Sequence, residues 1–309
     1  MTHAEQEAVL RIALMAAVAD GATDERERAQ VRRIAESLTG EINAAALYQD
    51  ALLKRFTPGE AAAPLATPEL RRYAWEMAVC VCDADGAHSP AEKRFLDELR
   101  QALGLEAAAS EAFAAEAAGL AEAPLAKPGP AEPSAASTMS PAETDAMILN
   151  YAILNGALEL LPQGLASMAI IPLQMKMVYR IGKSHGYELD RGHVKDFLAT
   201  AGVGLTSQYV EQFGRKLVGG LLGKLAGGLG RALGSAATGA GFSFASTYAL
   251  GQVARRYYAG GRQLSGDLLR ESFASMLGEA KSLQSRYVPQ IEQKARTLDL
   301  GEVMKSIKA

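Results

Sequence analysis

The acidic residues that could bind a metal ion lie in two short stretches, each at the junction of two predicted helices. Residues 19–28 read ADGATDERER and residues 84–94 read ADGAHSPAEKR, and they align without gaps at a constant offset of 65. Oxygen ligands of this kind suit Ca²⁺, Mg²⁺ or Mn²⁺. We therefore expect a divalent-cation site at these junctions, with five candidate ligands: Asp20, Asp24, Glu27, Asp85 and Glu92.

A structural role is open to two of these carboxylates. Ser89–Glu92 (SPAE) has the form of a capping box, in which a serine hydroxyl and a glutamate carboxylate accept hydrogen bonds from each other's backbone amides. Asp24–Glu27 (DERE) is a looser version. Asp20 and Asp85 need another explanation, because each is predicted at the end of a helix, where the macrodipole disfavours a carboxylate. A cation or a basic residue nearby would offset that cost.

Zinc is not expected at the second junction. Cys80 and Cys82 are two residues apart, which on a helix places their side chains about 200° apart around the axis. A structural zinc site would need four suitable ligands, and His88 adds only one. We interpret both cysteines as small buried apolar residues.

The composition indicates an all-α protein. Apolar residues make up 49% of the 309 residues but aromatic residues only 6%, so the apolar content is mostly alanine, leucine, valine and methionine, which favour helices. Apolar residues repeat at helical spacing on both sides of each junction. We expect an N-terminal bundle built from one duplicated helix–turn–helix unit, followed by a C-terminal helical domain whose glycine-rich helices pack closely or associate with a membrane.

The distribution of charged residues and prolines along the sequence indicates where one domain ends and the next begins. Residues 1–122 hold 12 basic and 21 acidic residues, a net charge of −9, whereas residues 123–309 carry a net charge of +6. We predict a helical domain at 1–105, an Ala/Pro-rich linker at 106–142 whose first part is helical, a second helical domain at 143–265, and amphipathic C-terminal helices at 266–309. In the last segment, Pro289 is expected to interrupt the helix. The basic half could face anionic lipid, while nucleic acid is not expected as a partner.

The second half contains glycines at the spacing of closely packed helices: Gly219, Gly223, Gly227, Gly230 and Gly234. Ala232–Ala254 has 23 residues without charge, long enough to cross a bilayer, but it consists mostly of small residues that gain little from hydrocarbon. Membrane association and a water-soluble, tightly packed core both remain open. Five polar residues on one predicted helix form a candidate partner or lipid-headgroup edge, with a plain solvated face as the alternative: Gln174, Lys176, Arg180, Lys183 and His185.

The duplicated ADG…E turn on helical arms resembles TerB, the tellurite-resistance domain, over roughly residues 8–105. The resemblance implies an all-helical bundle of two halves with acidic clusters at the turns that hold a divalent cation. In this sequence the matching positions are Asp20, Asp24, Glu27, Asp85 and Glu92. The second cluster is poorer in charge, because Ser89 takes the place of Asp24.

A second resemblance covers about residues 145–262. Its marks are the runs PLQM at Pro172–Met175, YRI at Tyr179–Ile181 and TYALG at Thr247–Gly251, together with Gly186. They are similar to the YcjF-like domain of bacterial inner-membrane proteins, which also occurs at the C-terminus of some Era-like GTPases. The resemblance implies a membrane-associated helical module that works with other proteins, such as a GTPase or a membrane stress complex.

These patterns favour a non-enzymatic adaptor in a stress response, at the cytoplasmic face of a bacterial inner membrane or in the cytoplasm. The first residues have neither the basic opening nor the apolar core of a signal peptide. One alternative is an oligomeric, pore-like membrane protein assembled through the glycines. A hydrolase is the other, but no histidine stands beside a serine or cysteine in a recognisable nucleophile elbow.

Overall fold

The chain folds into helices, as expected from its composition. The computed structural model describes residues 2–21, 42–84, 88–125, 138–161, 164–204, 208–211 and 241–308. Within these ranges there are 13 helices and no strand. The prediction of an all-α protein is confirmed. The proline-rich part of the predicted linker, residues 126–137, lies outside the described ranges, as do the five glycines at 219, 223, 227, 230 and 234.

Two compact units account for the structure. The first comprises residues 1–122, 162–168 and 204–236, and the second comprises residues 123–161, 169–203 and 237–309. The described helices of the first unit are α1 (His3–Ala17), α2 (Ala44–Leu52), α3 (Pro58–Ala62), α4 (Pro68–Cys82), α5 (Pro90–Ala102), α6 (Ala107–Ala121) and α8 (Gly164–Met168). Those of the second are α7 (Pro141–Glu159), α9 (Ile170–Ser184), α10 (Arg191–Thr200), α11 (Gly241–Ala259), α12 (Gly266–Thr297) and α13 (Leu300–Lys308).

The duplication in the sequence corresponds to two equivalent helices in the structure, α1 and α4. Each has 15 residues, and both their first and their last residues are separated by the sequence offset of 65. The two helices pack against each other, and the thiol of Cys82 lies 4.0 Å from the carbonyl oxygen of Ala16. Cys80 and Cys82 are both buried, so their interpretation as core residues is confirmed.

Helix starts follow the sequence signals closely. Ser89 caps α5 and Ser140 caps α7, and in both cases the glutamate at the third helical position completes a capping box. Such reciprocal bonds satisfy amides that the first turn of a helix leaves without partners. The chain turns away from α1 at Gly21, whose φ of 68° lies in the left-handed region that glycine adopts without strain.

The core of the second unit forms around α11. This helix packs against α7, α9 and α12. Glycines allow the helices to approach closely: a β-carbon added to Gly251 would lie 2.7 Å from a side-chain carbon of Ile148 on α7, and one added to Gly182 of α9 would lie 3.0 Å from the ring of Tyr258 on α11. Small residues therefore do bring helices together within the described part of this unit, and the packing role of the five glycines singled out in the sequence stays a prediction.

Two expectations about the second unit are wrong. Pro289 does not interrupt the C-terminal helix, since α12 runs through it from Gly266 to Thr297. Beyond the proline, Ile291 and Ala295 are buried, and Ile291 lies against Gly156 of α7, so packing compensates for the lost backbone hydrogen bond. Gln174 does not lie on a solvated polar edge, since it is fully buried.

None of the helices in the described ranges combines the length and the apolarity needed to cross a membrane.

Candidate functional site at the second acidic junction

The second acidic junction contains a buried ion pair. Asp83 is the C-cap residue of α4, and its side chain is 1% exposed. His88, just before α5, places Nε2 2.7 Å from Oδ1 of Asp83 and is itself 14% exposed. The pair thus joins the end of one helix to the start of the next across residues 85–87, which lie outside the described ranges.

The position of Asp83 explains why a positive charge is needed beside it. The C-terminal end of a helix carries partial negative charge, and burial adds a desolvation cost for a carboxylate. At the equivalent place in the first half, 65 residues earlier, α1 ends in the uncharged Val18. Only the second half therefore carries a buried acid at its C-cap, and His88 supplies the compensating charge.

The pKa of His88 reflects the same balance. Burial alone lowers the pKa of this imidazole, but the hydrogen bond to Asp83, the charge of Asp83 and the charge of Glu92 together outweigh it. The pKa of His88 is raised above its ordinary value of about 6.5 as a result. At this junction a buried carboxylate lies 2.7 Å from an imidazole, and both side chains are of the types that bind metal ions.

The five predicted metal ligands are only partly described. Asp20 and Glu92 lie in described ranges, whereas Asp24, Glu27 and Asp85 lie outside them. Glu92 takes the structural role that its capping box offers: one carboxylate oxygen accepts a hydrogen bond from the backbone amide of Ser89 at 2.7 Å. Among the described residues, no group of three or more histidine, cysteine, aspartate or glutamate side chains is arranged to hold a metal ion. The metal site as a whole stays a prediction.

Sequence reasoning ranked Asp83 and His88 too low. Asp83 is not among the five ligands predicted from the sequence, and His88 enters the sequence analysis only as a possible zinc ligand. A signal for Asp83 is present in the alignment of the two halves, because this aspartate stands where the first half has Val18. A substitution of this kind within a repeat marks a position where the two copies differ in chemistry.

The three basic residues of the predicted partner edge all have partners within the second unit. The ammonium of Lys176 donates to the carbonyl oxygen of Ser306 at 2.9 Å, and that of Lys183 donates to Glu188 at 2.8 Å. The guanidinium of Arg180 lies 3.5 Å from the hydroxyl of Tyr151. These contacts give each residue a structural role, and their function in partner or lipid binding stays a prediction.

Comparisons with known proteins bear on the N-terminal part of the chain. A search of curated proteins and a search of solved structures gave no match. One family model, described as "Protein of unknown function (DUF533)", matches residues 1–117. Residues 1–117, which contain the duplicated helices and the Asp83–His88 pair, are therefore similar to DUF533, an uncharacterised family of the TerB-like group.

Proposed function

We propose that the protein is a non-enzymatic adaptor whose N-terminal unit is a TerB-type, cation-responsive binding head. The observation that carries the proposal is the buried carboxylate of Asp83 at the C-cap of α4, paired with His88 at 2.7 Å. A carboxylate at this place is stabilised by any positive charge that can reach it. A divalent ion and the His88 proton are then competitors for the same negative charge.

The adaptor mechanism follows from that competition. An ion bound at the second junction, with Asp83 and the carboxylates predicted at 85 and 92 as its oxygen ligands, would displace the His88 proton. Asp20, Asp24 and Glu27 are the ligands predicted for an ion at the first junction. The bound ion would also reduce the negative charge of a unit whose first 122 residues carry −9. A partner with an acidic or neutral surface would then bind better with the ion than without it.

Calorimetric titration of the full-length chain with Ca²⁺, Mg²⁺ and Mn²⁺ tests this head function. We expect one of these ions to bind, with an affinity that rises with pH because His88 must lose its proton. Asp83→Asn should weaken binding, whereas Asp97→Asn, on the exposed face of α5, removes the same charge away from the junction and should not. Absence of heat with all three ions would rule out cation-dependent docking.

For the C-terminal unit we propose a YcjF-like role: association with an anionic membrane and with partner proteins, such as a GTPase, at the cytoplasmic face of a bacterial inner membrane. Support comes from the net charge of +6 in residues 123–309 and from the close helix packing at Gly182 and Gly251. Fractionation of cells with a carbonate wash tests it, and recovery of all the protein in the soluble pool would contradict it. If instead Gly223→Leu disrupts a membrane-inserted oligomer, the pore-like alternative gains support.

A further inference from the structure

A groove in the first unit is lined largely by apolar side chains. Its volume of about 240 Å³ is below the range of about 300–1,000 Å³ typical of small-molecule sites, so it suits side chains of a partner rather than a free ligand. The apolar lining comes from the last turns of α1, the turn after α2 and the first half of α5, and it includes Met15, Val18, Phe56 and Phe95.

The Phe56 wall of this groove is held in place by a cation–π contact. The guanidinium carbon of Arg11 lies 4.0 Å from the centroid of the Phe56 ring, and Arg11 in turn pairs with Glu7 at 2.6 Å. A side chain fixed in this way loses little conformational freedom when a partner binds. This wall is therefore preorganised for contact with a partner.

Two leucines next to the groove residues are exposed. Leu52 is 37% exposed and Leu53 is 59% exposed, and in the described ranges Leu268 is the one other exposed large apolar residue. In the chain, the two leucines lie between Ala51 and Lys54, which both line the groove. Exposed apolar residues around a groove are typical of protein-interaction surfaces.

The lining of the groove includes two cations without an ion pair. Lys54 and Arg94 are both exposed, and neither side chain pairs with a carboxylate in the part of the chain that the structure describes. By contrast, the neighbouring Arg55 pairs with Asp50 at 2.9 Å. One acidic residue, Glu98, also lines the groove. Unpaired positive charges on a unit whose first 122 residues carry −9 favour a partner with acidic side chains.

Lys54 occupies a backbone conformation that favours glycine. Its φ of 50° lies in the left-handed region, which is unfavourable for a residue with a side chain. Strained residues of this kind occur preferentially at binding sites, where the side chain is needed. Partner binding by the Lys54 ammonium explains why a lysine stands at this position.

Two walls of the groove adjoin the acidic junctions in the sequence. Val18 and Ala19 directly precede Asp20, and α5 begins two residues after His88. Carboxylates at these junctions repel an acidic partner, and a cation bound there would reduce the repulsion. A partner in this groove would therefore respond to the cation binding proposed for the junctions.

We propose that this groove is the docking site of a partner protein that presents an acidic amphipathic helix. The helix inserts an apolar side chain between Phe56 and Phe95 and packs a second one on Leu53. Its carboxylates pair with Lys54 and Arg94. The inference rests on the adaptor function proposed above, to which it adds the binding surface and the chemistry of the partner.

Fluorescence anisotropy of the full-length chain with synthetic peptides tests the docking site. The probe is a labelled peptide of about 15 residues with leucine at positions i, i+3, i+4 and i+7 and glutamate on both sides of this stripe. The control peptide has lysine in place of every glutamate. In the presence of EDTA, we expect the glutamate peptide to bind with a Kd on the order of 10–100 μM and the lysine peptide about tenfold more weakly or less. Equal binding of the two peptides, or no binding of the glutamate peptide, would overturn the proposal.

Variants locate the peptide on the surface. Leu53→Ala and Arg94→Gln should each weaken binding of the glutamate peptide by about tenfold. Leu268→Ala and Arg72→Gln are the matched controls, since they make the same changes at exposed positions outside the groove and should leave the affinity unchanged. Unaltered affinity in both groove variants would place the peptide elsewhere and refute the assignment.

Lys54→Gly separates partner binding from folding. Glycine removes the strain of the left-handed backbone, so the midpoint of thermal unfolding should rise by roughly 2–4 °C. Loss of the ammonium should at the same time weaken binding of the glutamate peptide by about tenfold. A more stable variant with unchanged peptide affinity would contradict the role of Lys54 in docking.

The cation response is measured separately from the docking site. Addition of an ion that binds at the junctions should tighten binding of the glutamate peptide, and Asp83→Asn should abolish this gain without changing the affinity in EDTA. Peptide binding that is unaffected by Ca²⁺, Mg²⁺ and Mn²⁺ would support the docking site and contradict the cation-responsive head. Failure of the one proposal is thus distinguishable from failure of the other.

Discussion

The side-chain amide of Gln174 donates a hydrogen bond to the hydroxyl oxygen of Thr247 at 3.0 Å, inside the core of the second unit. The amide of Asn155 reaches the same oxygen at 2.9 Å, and all three side chains are fully buried. They come from α9, α11 and α7, so one hydroxyl connects three helices. A buried polar group of this kind fixes the alignment of neighbouring helices, because each alternative alignment leaves a donor without its acceptor.

Replacement of Thr247 by valine should destabilise the protein. Valine keeps the shape of threonine but leaves the amides of Asn155 and Gln174 without this acceptor, at a cost of about 1–3 kcal/mol in the free energy of unfolding. Urea denaturation measures the change. Thr297→Val serves as the control, because Thr297 is exposed near the end of α12 and bonds only within its own helix. Equal losses of unfolding free energy in the two variants would mean that the buried hydrogen bonds to Thr247 do not stabilise the protein.

Alanine at Gly251 should also be destabilising. Its β-carbon would lie 2.7 Å from Ile148 and 3.1 Å from the sulfur of Met177, so α7 and α9 would have to move, at a cost of about 1–3 kcal/mol. Gly278→Ala is the matched control within α12, because a β-carbon there meets nothing within 4 Å. That variant should be more stable than the parent by up to about 1 kcal/mol, since alanine favours helix. Thermal unfolding should show a lower midpoint temperature than the parent for Gly251→Ala and a higher one for Gly278→Ala.

The stability contributed by His88 should depend on pH. Its pKa is raised in the folded protein, so the contribution is fully present below the ordinary pKa of about 6.5 and is lost as the pH rises through the higher folded value. The difference in unfolding free energy between the parent and His88→Gln should therefore shrink from mildly acidic to alkaline pH. Urea denaturation at several pH values measures it.

His185 provides the control for this pH series. Burial lowers the pKa of His185, so the linkage has the opposite sign: the unfolded protein binds more protons at this residue, and stability rises as the pH increases from the lowered folded value to about 6.5. Each histidine contributes to the pH dependence of the free energy of unfolding, and the contributions of His185 and His88 have opposite signs. His185→Gln and His88→Gln should therefore change this pH dependence in opposite directions. A profile with the same sign for both variants would show that the Asp83 partner does not set the behaviour of His88.

Removal of the Lys176 ammonium should loosen the C-terminal helix α13. The ammonium binds the carbonyl oxygen of Ser306 in the last turn, where a positive charge also complements the macrodipole. Lys176→Met should cost about 1 kcal/mol locally, which corresponds to roughly fivefold faster amide hydrogen exchange in residues 300–308. Lys183→Met breaks a comparable surface bond to Glu188 and should leave exchange in α13 unchanged.

The sequence by itself determined the features that depend on neighbours within one or two helical turns. The all-α fold, the capping boxes at Ser89 and Ser140, and the burial of Cys80 and Cys82 were all predictable, because propensity, capping and periodicity act over a few residues. The duplication at an offset of 65 was also visible in the sequence. It is confirmed by α1 and α4, whose first residues and last residues are each 65 positions apart.

The tertiary structure alone decided which distant residues meet. Gln174 and Thr247 are 73 positions apart, and helical spacing on α9 placed Gln174 on the wrong face because its partner on α11 could not be known. The same holds for Gly251, which matters only because Ile148 lies opposite it, and for Pro289, whose helix continues because Ile291 packs against Gly156. The physical reason is that burial and hydrogen bonding across helices depend on their mutual arrangement, about which the spacing of residues within each helix carries no information.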